Sequence, residues 1–142
     1  MAAYVKYESA IQKLCDKLID AFGSTDLWKA IIHTDAPIVA TDGVLTDFVQ
    51  IAGSNGYTTD GNTIGFNSTR TGAVVTATAV DVVWTASGGN LGASTTVRYV
   101  TVYDSTAVAK DAWNYWDYGS TFTIADTETF TLDFGASYWT IS

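Results

Sequence analysis

Short runs of apolar and β-branched residues alternate with clusters of Gly, Asn, Asp and Ser along most of this chain. Val, Thr, Tyr and Trp fit a pleated, half-buried surface, and turn residues at short intervals cut the chain into many antiparallel strands. The runs predict strands over 27–34, 45–51, 63–67, 73–80, 81–84, 97–103, 112–116, 121–124, 129–134 and 138–141. Pro37 ends the first pairing, because it offers no N–H. Asn55-Gly56, Asp60-Gly61 and Ser87-Gly88-Gly89-Asn90 supply residues that tolerate positive φ, and Ala125-Asp126-Thr127-Glu128 reads as a hairpin turn.

The period changes at the N-terminus. Over 2–22 the apolar residues Tyr4, Tyr7, Ile11, Leu14 and Leu18 recur at spacings of three and four, which predicts an amphipathic helix. Val5, Cys15, Ile19 and Phe22 widen the stripe beyond a coiled-coil seam, and Gly23 is placed to cap the helix. The expected fold is therefore mainly β. An antiparallel β-sandwich or jelly-roll-like domain over 24–142 carries an N-terminal amphipathic helical arm over 1–23, which covers its own sheet or docks on another subunit.

Composition narrows the function. With 47% hydrophobic and 13% aromatic residues in 142, one domain buries its own core and disorder is excluded. Only 15% of residues are charged, against about 25% in an ordinary soluble domain, so either partners cover part of the surface or a Thr/Ser-rich surface supplies its polarity. The net charge of −8 falls after residue 29, where Arg70, Arg98 and Lys110 are the only bases. That leaves no basic stripe for phosphates, which argues against direct nucleic-acid binding. No run of about 18 apolar residues and no signal-peptide order is present, so neither a membrane anchor nor export is expected, and lone Cys15 permits no intrachain disulfide.

Residues of catalytic type are sparse. His33 is the single histidine, and no serine or Gly-x-Ser-x-Gly elbow stands beside it, so it is expected to be a strand-end residue with a local hydrogen bond. One His and one Cys do not make a zinc site, and Thr59-Asp60-Gly61-Asn62 offers too few oxygens for calcium. Acid pairs such as Asp117 with Asp133, or Asp126 with Glu128, have no separation fixed by sequence, while Asp104, Asp111 and Asp117 read as solvated loop carboxylates. No cofactor is implied. The densest aromatic segment is Trp113-Asn114-Tyr115-Trp116-Asp117-Tyr118. As a strand it places Trp113, Tyr115 and Asp117 on one face and Trp116 and Tyr118 on the other, one face core and the other either packed beneath the helix or a loop or open as a platform for a sugar ring or a protein partner. Trp28, Trp84 and Trp139 are expected in the core.

At Ala52-Gly53-Ser54-Asn55-Gly56-Tyr57, Val83-Trp84-Thr85-Ala86-Ser87-Gly88-Gly89, Trp116-Asp117-Tyr118-Gly119-Ser120 and Ala125-Asp126-Thr127-Glu128-Thr129-Phe130, the chain resembles small virion structural proteins of tailed bacteriophages. The resemblance runs from about residue 27 to the end and rests on strand and turn motifs. It implies a virion structural subunit and not an enzyme, without settling whether that subunit sits on the capsid or on a tail or fibre. The expected role is a capsid decoration or cement protein bound to the major capsid protein, and the need to match symmetric sites on a shell points to a closed homo-oligomer such as a trimer. The alternative it leaves open is a tail or fibre component whose β-sandwich binds carbohydrate. On this reading the contact residues are Tyr4, Tyr7, Ile11, Leu14 and Leu18 of the arm and Trp113, Tyr115, Trp116 and Tyr118 of the aromatic strand.

Overall fold

The computed structural model describes residues 3–15 and 26–141. Among these the chain is mainly β, with ten strands in antiparallel sheets and little helix. The elements are β1 (Ala3–Lys6), α1 (Glu8–Cys15), β2 (Trp28–His33), β3 (Asn62–Ile64), β4 (Phe66–Thr71), β5 (Val74–Ala79), β6 (Val82–Thr85), β7 (Val97–Asp104), β8 (Ala112–Phe122), β9 (Thr129–Leu132) and β10 (Trp139–Ile141). Five strands form one sheet in the order β1-β8-β7-β2-β3, three form a second in the order β10-β5-β4, and β6 pairs with β9.

The middle of the large sheet follows from composition. β2 and β7 are buried almost throughout, and they are the strands whose apolar residues run on instead of alternating, as a strand covered on both faces requires. Their register runs from Trp28 opposite Asp104 to His33 opposite Tyr99. Together with β8 opposite β7, it sorts side chains onto two faces. Ile31, His33, Tyr99, Thr101 and Tyr115 share the first face; Ala30, Ile32, Val100, Val102, Asn114 and Trp116 share the second.

Trp113 departs from simple alternation. Tyr103 stands opposite Ala112 and Val102 opposite Asn114, so Trp113 is an extra residue in a β-bulge. The bulge swings its indole to the second face, against Trp28 of β2 and Trp139 of β10 at ring centroid distances of 6.2 and 5.6 Å. The expected grouping of Trp113 with Tyr115 and Asp117 is thereby corrected.

Four other expectations change. The helix over 2–22 gives way at its start to strand β1, with Ala3 opposite Asp117 and Lys6 opposite Asn114; among the described residues of that span the helix is Glu8–Cys15. Tyr4 and Val5 fit a pleated strand as well as a helix, and the free side of β8 offers backbone partners that a helical turn could not use. Leu14 lies on α1, while Leu18 and the Gly23 cap fall outside the described residues. The strand over 45–51 is instead a 3-10 turn at Leu45–Asp47, because the Asp47 carboxylate accepts the Gly43 and Val44 N–H groups at 2.8 and 3.0 Å and bends the chain. The strand over 63–67 breaks at Gly65 into β3 and β4, which belong to different sheets. At 125–128 there is a turn, closed by Glu128 N–H to the Ala125 carbonyl at 2.9 Å, but no hairpin. β8 carries β7 on one side and β1 on the other, and β9 pairs with β6.

One connected core joins the sheets. Trp28, Trp84 and Trp113 are buried in it, and Trp139 packs against it half-buried. The turn signals hold at Asn55-Gly56 and Asp60-Gly61, all at positive φ. A Cβ on Gly61 would lie 1.9 Å from the Ala30 carbonyl oxygen, so this turn is closed to any side chain. The segments 52–57, 83–89 and 125–130 are joined by hydrogen bonds. Ser87 N–H bonds to the Asn55 carbonyl, Ala86 N–H to that of Glu128 and Thr127 N–H to that of Ala86, at 2.9–3.1 Å, and Gly88 N–H reaches Asp126 Oδ1 at 2.8 Å.

Candidate functional site

The two faces of the large sheet carry the two arrangements with chemical character. On the first, four polar side chains are joined end to end. His33 Nδ1 lies 3.1 Å from both the Asp35 Oδ1 and the Asp35 carbonyl oxygen, and Nε2 lies 2.9 Å from Thr101 Oγ1. Thr101 Oγ1 is in turn 3.1 Å from the Tyr7 hydroxyl. Both partners of Nδ1 are acceptors, so that nitrogen carries a proton. In the neutral ring Nε2 then accepts from Thr101, and Thr101 accepts from Tyr7. Burial works against the Asp35 carboxylate, but the His33 hydrogen bond, the His33 charge and the Val49 N–H at 2.9 Å outweigh it and hold its pKa below the usual carboxylate value. Burial pushes the Tyr7 hydroxyl far up, so it keeps its proton.

Asp35, His33 and Thr101 reproduce the order of acid, imidazole and hydroxyl found in nucleophilic triads. Yet His33 and Thr101 are 0% exposed, sealed beneath Tyr7, Phe48 and Tyr99. A nucleophile needs an approaching substrate, and here the hydroxyl faces protein on all sides. The arrangement is a buried polar network that fixes how α1 and the 35–49 segment lie on the sheet. His33 does make the expected local bond, to Asp35. Thr101 had no signal in the sequence, because it stands 68 residues away and meets His33 only through the β2–β7 register.

On the second face the aromatic packing opens into a cleft of about 400 Å³. Tyr4 of β1, Trp116 and Tyr118 of β8, Thr131 and Leu132 of β9, and Asp133, Phe134, Gly135, Ser137 and Tyr138 of the β9–β10 connection line it. Trp116 and Tyr138 are nearly parallel, 25° apart at 6.1 Å between centroids, while Tyr4 and Phe134 stand edge-on to both at 5.1–6.2 Å. Phe134 and Trp116 are buried, Tyr118 and Tyr138 half-buried, and Tyr4 is 38% exposed. Burial raises the Tyr4 and Tyr118 hydroxyls to about 12, against a pull from the Trp113 indole for Tyr4 and aided by Asp133 for Tyr118. Tyr138 donates to Asn114 Oδ1, and Asp133 Oδ1 accepts the Gly135 N–H at 2.7 Å.

The nine expected contact residues thus divide. Tyr4, Trp116 and Tyr118 come together in the cleft. Tyr7 and Trp113 are 1% exposed and pack inside the chain's own core, so neither offers surface to a partner. Tyr115 is half-buried on the first face between Tyr7 and Tyr99, and Ile11 is 48% exposed on α1.

The carboxylates are engaged locally. Asp117 pairs with Arg98 through two bonds of 2.8 and 2.9 Å, Asp126 receives Gly88 N–H, and Glu128 Oε2 receives Ala125 N–H at 2.8 Å. Asp104 and Asp111 are not solvated as expected: both are buried. Asp104 caps the β7–β8 connection by accepting the Thr106 and Ala107 N–H groups, and burial with Asp26 nearby raises its pKa against those two bonds. Asp111, just before β8, receives Lys13 at 2.5 Å and so ties α1 to the β7–β8 connection. Asp60 takes Lys110 at 3.1 Å, and among the described residues no three His, Cys, Asp or Glu side chains group to hold a metal ion. None of the described helices is long and apolar enough to cross a membrane.

Comparison with known protein families, with curated proteins and with solved structures finds no match for this chain.

Proposed function

We propose that the chain is a virion structural subunit, a capsid decoration or cement protein with a sandwich-like β body, that binds the major capsid protein through protein contacts and without a cofactor. The observation that carries this reading is the layer over the first face. Ile11 on α1 and Ile38 and Val49 on the 35–49 segment are 48, 59 and 65% exposed, while the same two segments are anchored beneath by Tyr7, Phe48, Asp35 and Lys13. A rigidly held layer with apolar side chains on its outer side meets a partner at little ordering cost. Repeated over a shell, weak contacts of this kind add up. The low charge content and the four motifs of phage type support the same reading. A closed homo-oligomer, a trimer in the first instance, matches the symmetry of shell sites.

Removing residues 1–22 would strip β1 from the sheet, so the test uses surface substitutions. Purified chain is sedimented with expanded, undecorated capsids of the source phage, beside an Ile11→Ser/Ile38→Ser/Val49→Ser variant of matched thermal stability. Saturable binding in fixed ratio to coat subunits, weakened at least about tenfold in the variant, is expected. Absence of capsid binding by the folded chain overturns the proposal, and binding to isolated tails would move the subunit there.

A further inference from the structure

We propose that the cleft between β1, β8 and the β9–β10 connection binds a neutral pyranose, of about disaccharide length. It lies on the second face of the sheet, away from the layer argued to meet the capsid, and does not depend on that reading.

Four features select this ligand. Size comes first: about 400 Å³ falls within the range of small-molecule sites and holds one or two sugar rings. Shape comes second. Tyr4 is the most open ring, and Tyr118 and Tyr138 show part of theirs, so flat apolar surface is available to the C–H face of a sugar. Polarity is third. Thr131, Asp133 and Ser137 are exposed around these rings, and Asp133 keeps acceptor capacity beyond its bond to Gly135. Such a ring of hydroxyls and one carboxylate pairs with the rim hydroxyls of a pyranose.

Charge decides between ligand classes. The lining holds one carboxylate and no Lys or Arg, in a chain of net charge −8. An acidic sugar, a phosphate or an acidic peptide would meet repulsion without a counter-charge. A cation would be attracted by Asp133, but an aromatic cage must leave room for it between ring faces. Here Tyr4, Trp116, Phe134 and Tyr138 touch one another at 5.1–6.2 Å and leave no such gap. A neutral ligand laid across the outer rims remains.

The test is titration of the intact chain with lactose, maltose, cellobiose and N,N′-diacetylchitobiose, read by tryptophan fluorescence, since Trp116 lines the cleft, and by calorimetry. Each neutral sugar is paired with an acidic counterpart, 3′-sialyllactose for lactose and the uronic-acid form for the others. Saturable binding of at least one neutral sugar below about 10 mM is expected, at least about tenfold weaker for its acidic counterpart. Tyr4→Ala should weaken it by a similar factor, and Asp133→Ala likewise, with Asp133→Asn retaining more. Val83→Ser, exposed on β6 and outside the lining, should change nothing. If no neutral sugar titrates with the folded chain, or if binding persists unchanged in both Tyr4→Ala and Asp133→Ala, the proposal fails. Tetramethylammonium binding with no sugar binding would also overturn it in favour of a cation site. Capsid binding that survives Tyr4→Ala would leave the proposed virion role standing whichever way the sugar experiment falls.

Discussion

On one face of the five-stranded sheet Asp35, His33, Thr101 and Tyr7 are joined through single hydrogen bonds; on the other, Trp28, Trp113, Trp116, Phe134 and Tyr138 meet ring to ring. Both faces are built from β2, β7 and β8, and both hold bulky side chains. They differ in what fails when one member is lost. A hydrogen-bond chain in a dry interior transmits the loss, because each removed atom strands a neighbour at the full cost of desolvation. Ring packing spreads a loss over many small contacts, and toward the edge it tolerates an opening. The polar face is accordingly closed and holds its covering layer in one position, whereas the aromatic face ends in a cleft.

The largest effect is expected where ring packing is densest. Trp113→Ala removes an indole 1% exposed and enclosed by Trp28 and Trp139, and should cost roughly 3–5 kcal/mol in urea unfolding. Tyr118→Ala, at the half-buried rim, should cost clearly less; equal costs would break the distinction between a dense interior and a tolerant edge. Next comes the middle of the polar chain. Thr101→Val keeps the shape but strands His33 Nε2 and the Tyr7 hydroxyl, for a loss of about 1–3 kcal/mol. Adding Tyr7→Phe removes one stranded group, so the double variant should lose less than the sum of the two single losses. Strict additivity would show that the two hydroxyls are not coupled.

The same contrast explains what the sequence disclosed. Turn chemistry is local, so the positive-φ positions at Asn55-Gly56 and Asp60-Gly61 were readable, as were the continuous apolar runs that became β2 and β7. The aromatic segment announced a strand, but its faces depended on a bulge set by the pairing of β7 with β8, which no local pattern encodes. Tyr4 and Tyr7 sit three apart, a spacing that serves a helix, and two apolar residues cannot separate that from the end of a strand. The buried network was less visible still. His33 and Asp35 lie two residues apart, which fits the local bond expected for His33 without naming its partner, whereas Thr101 and Tyr7 join them only through tertiary pairing. Asp133 stands out in the sequence only as an arbitrary acid partner for Asp117, whereas its place beside the aromatic rings comes from the β9–β10 connection.

Titration distinguishes the polar chain further. Asp35 has its pKa lowered from 3.8 in the folded chain, so its pairing contributes stability that is fully present above the unfolded value and is lost as pH falls through the folded one. The stability gap between the native chain and Asp35→Asn should therefore be flat above about pH 5 and close below about pH 4. Trp113→Ala removes no titrating group, and its gap should change little over the same range. A gap for Asp35→Asn that persists to pH 2 would mean that shape and not charge holds the 35–49 segment to the sheet.

The smallest effect is expected from the ion pair at the rim of the first face. Arg98 grips Asp117 with two bonds and lies over the Tyr99 ring at 5.0 Å, yet both charged side chains are about one-third exposed. Water and salt screen such a pair, and its bonds replace hydration that the open state regains. Asp117 also accepts the Gly119 N–H at 2.8 Å, so it stays partly satisfied when Arg98 is gone. Arg98→Gln should consequently shift the unfolding midpoint only slightly, and less at high salt than at low. The Thr101→Val loss, made in a site that salt does not reach, should hold its size across the same salt series. A salt-independent penalty for Arg98→Gln would assign its contribution to packing of the guanidinium on Tyr99, and the contrast between a sealed polar chain and a screened surface pair would then have to be redrawn.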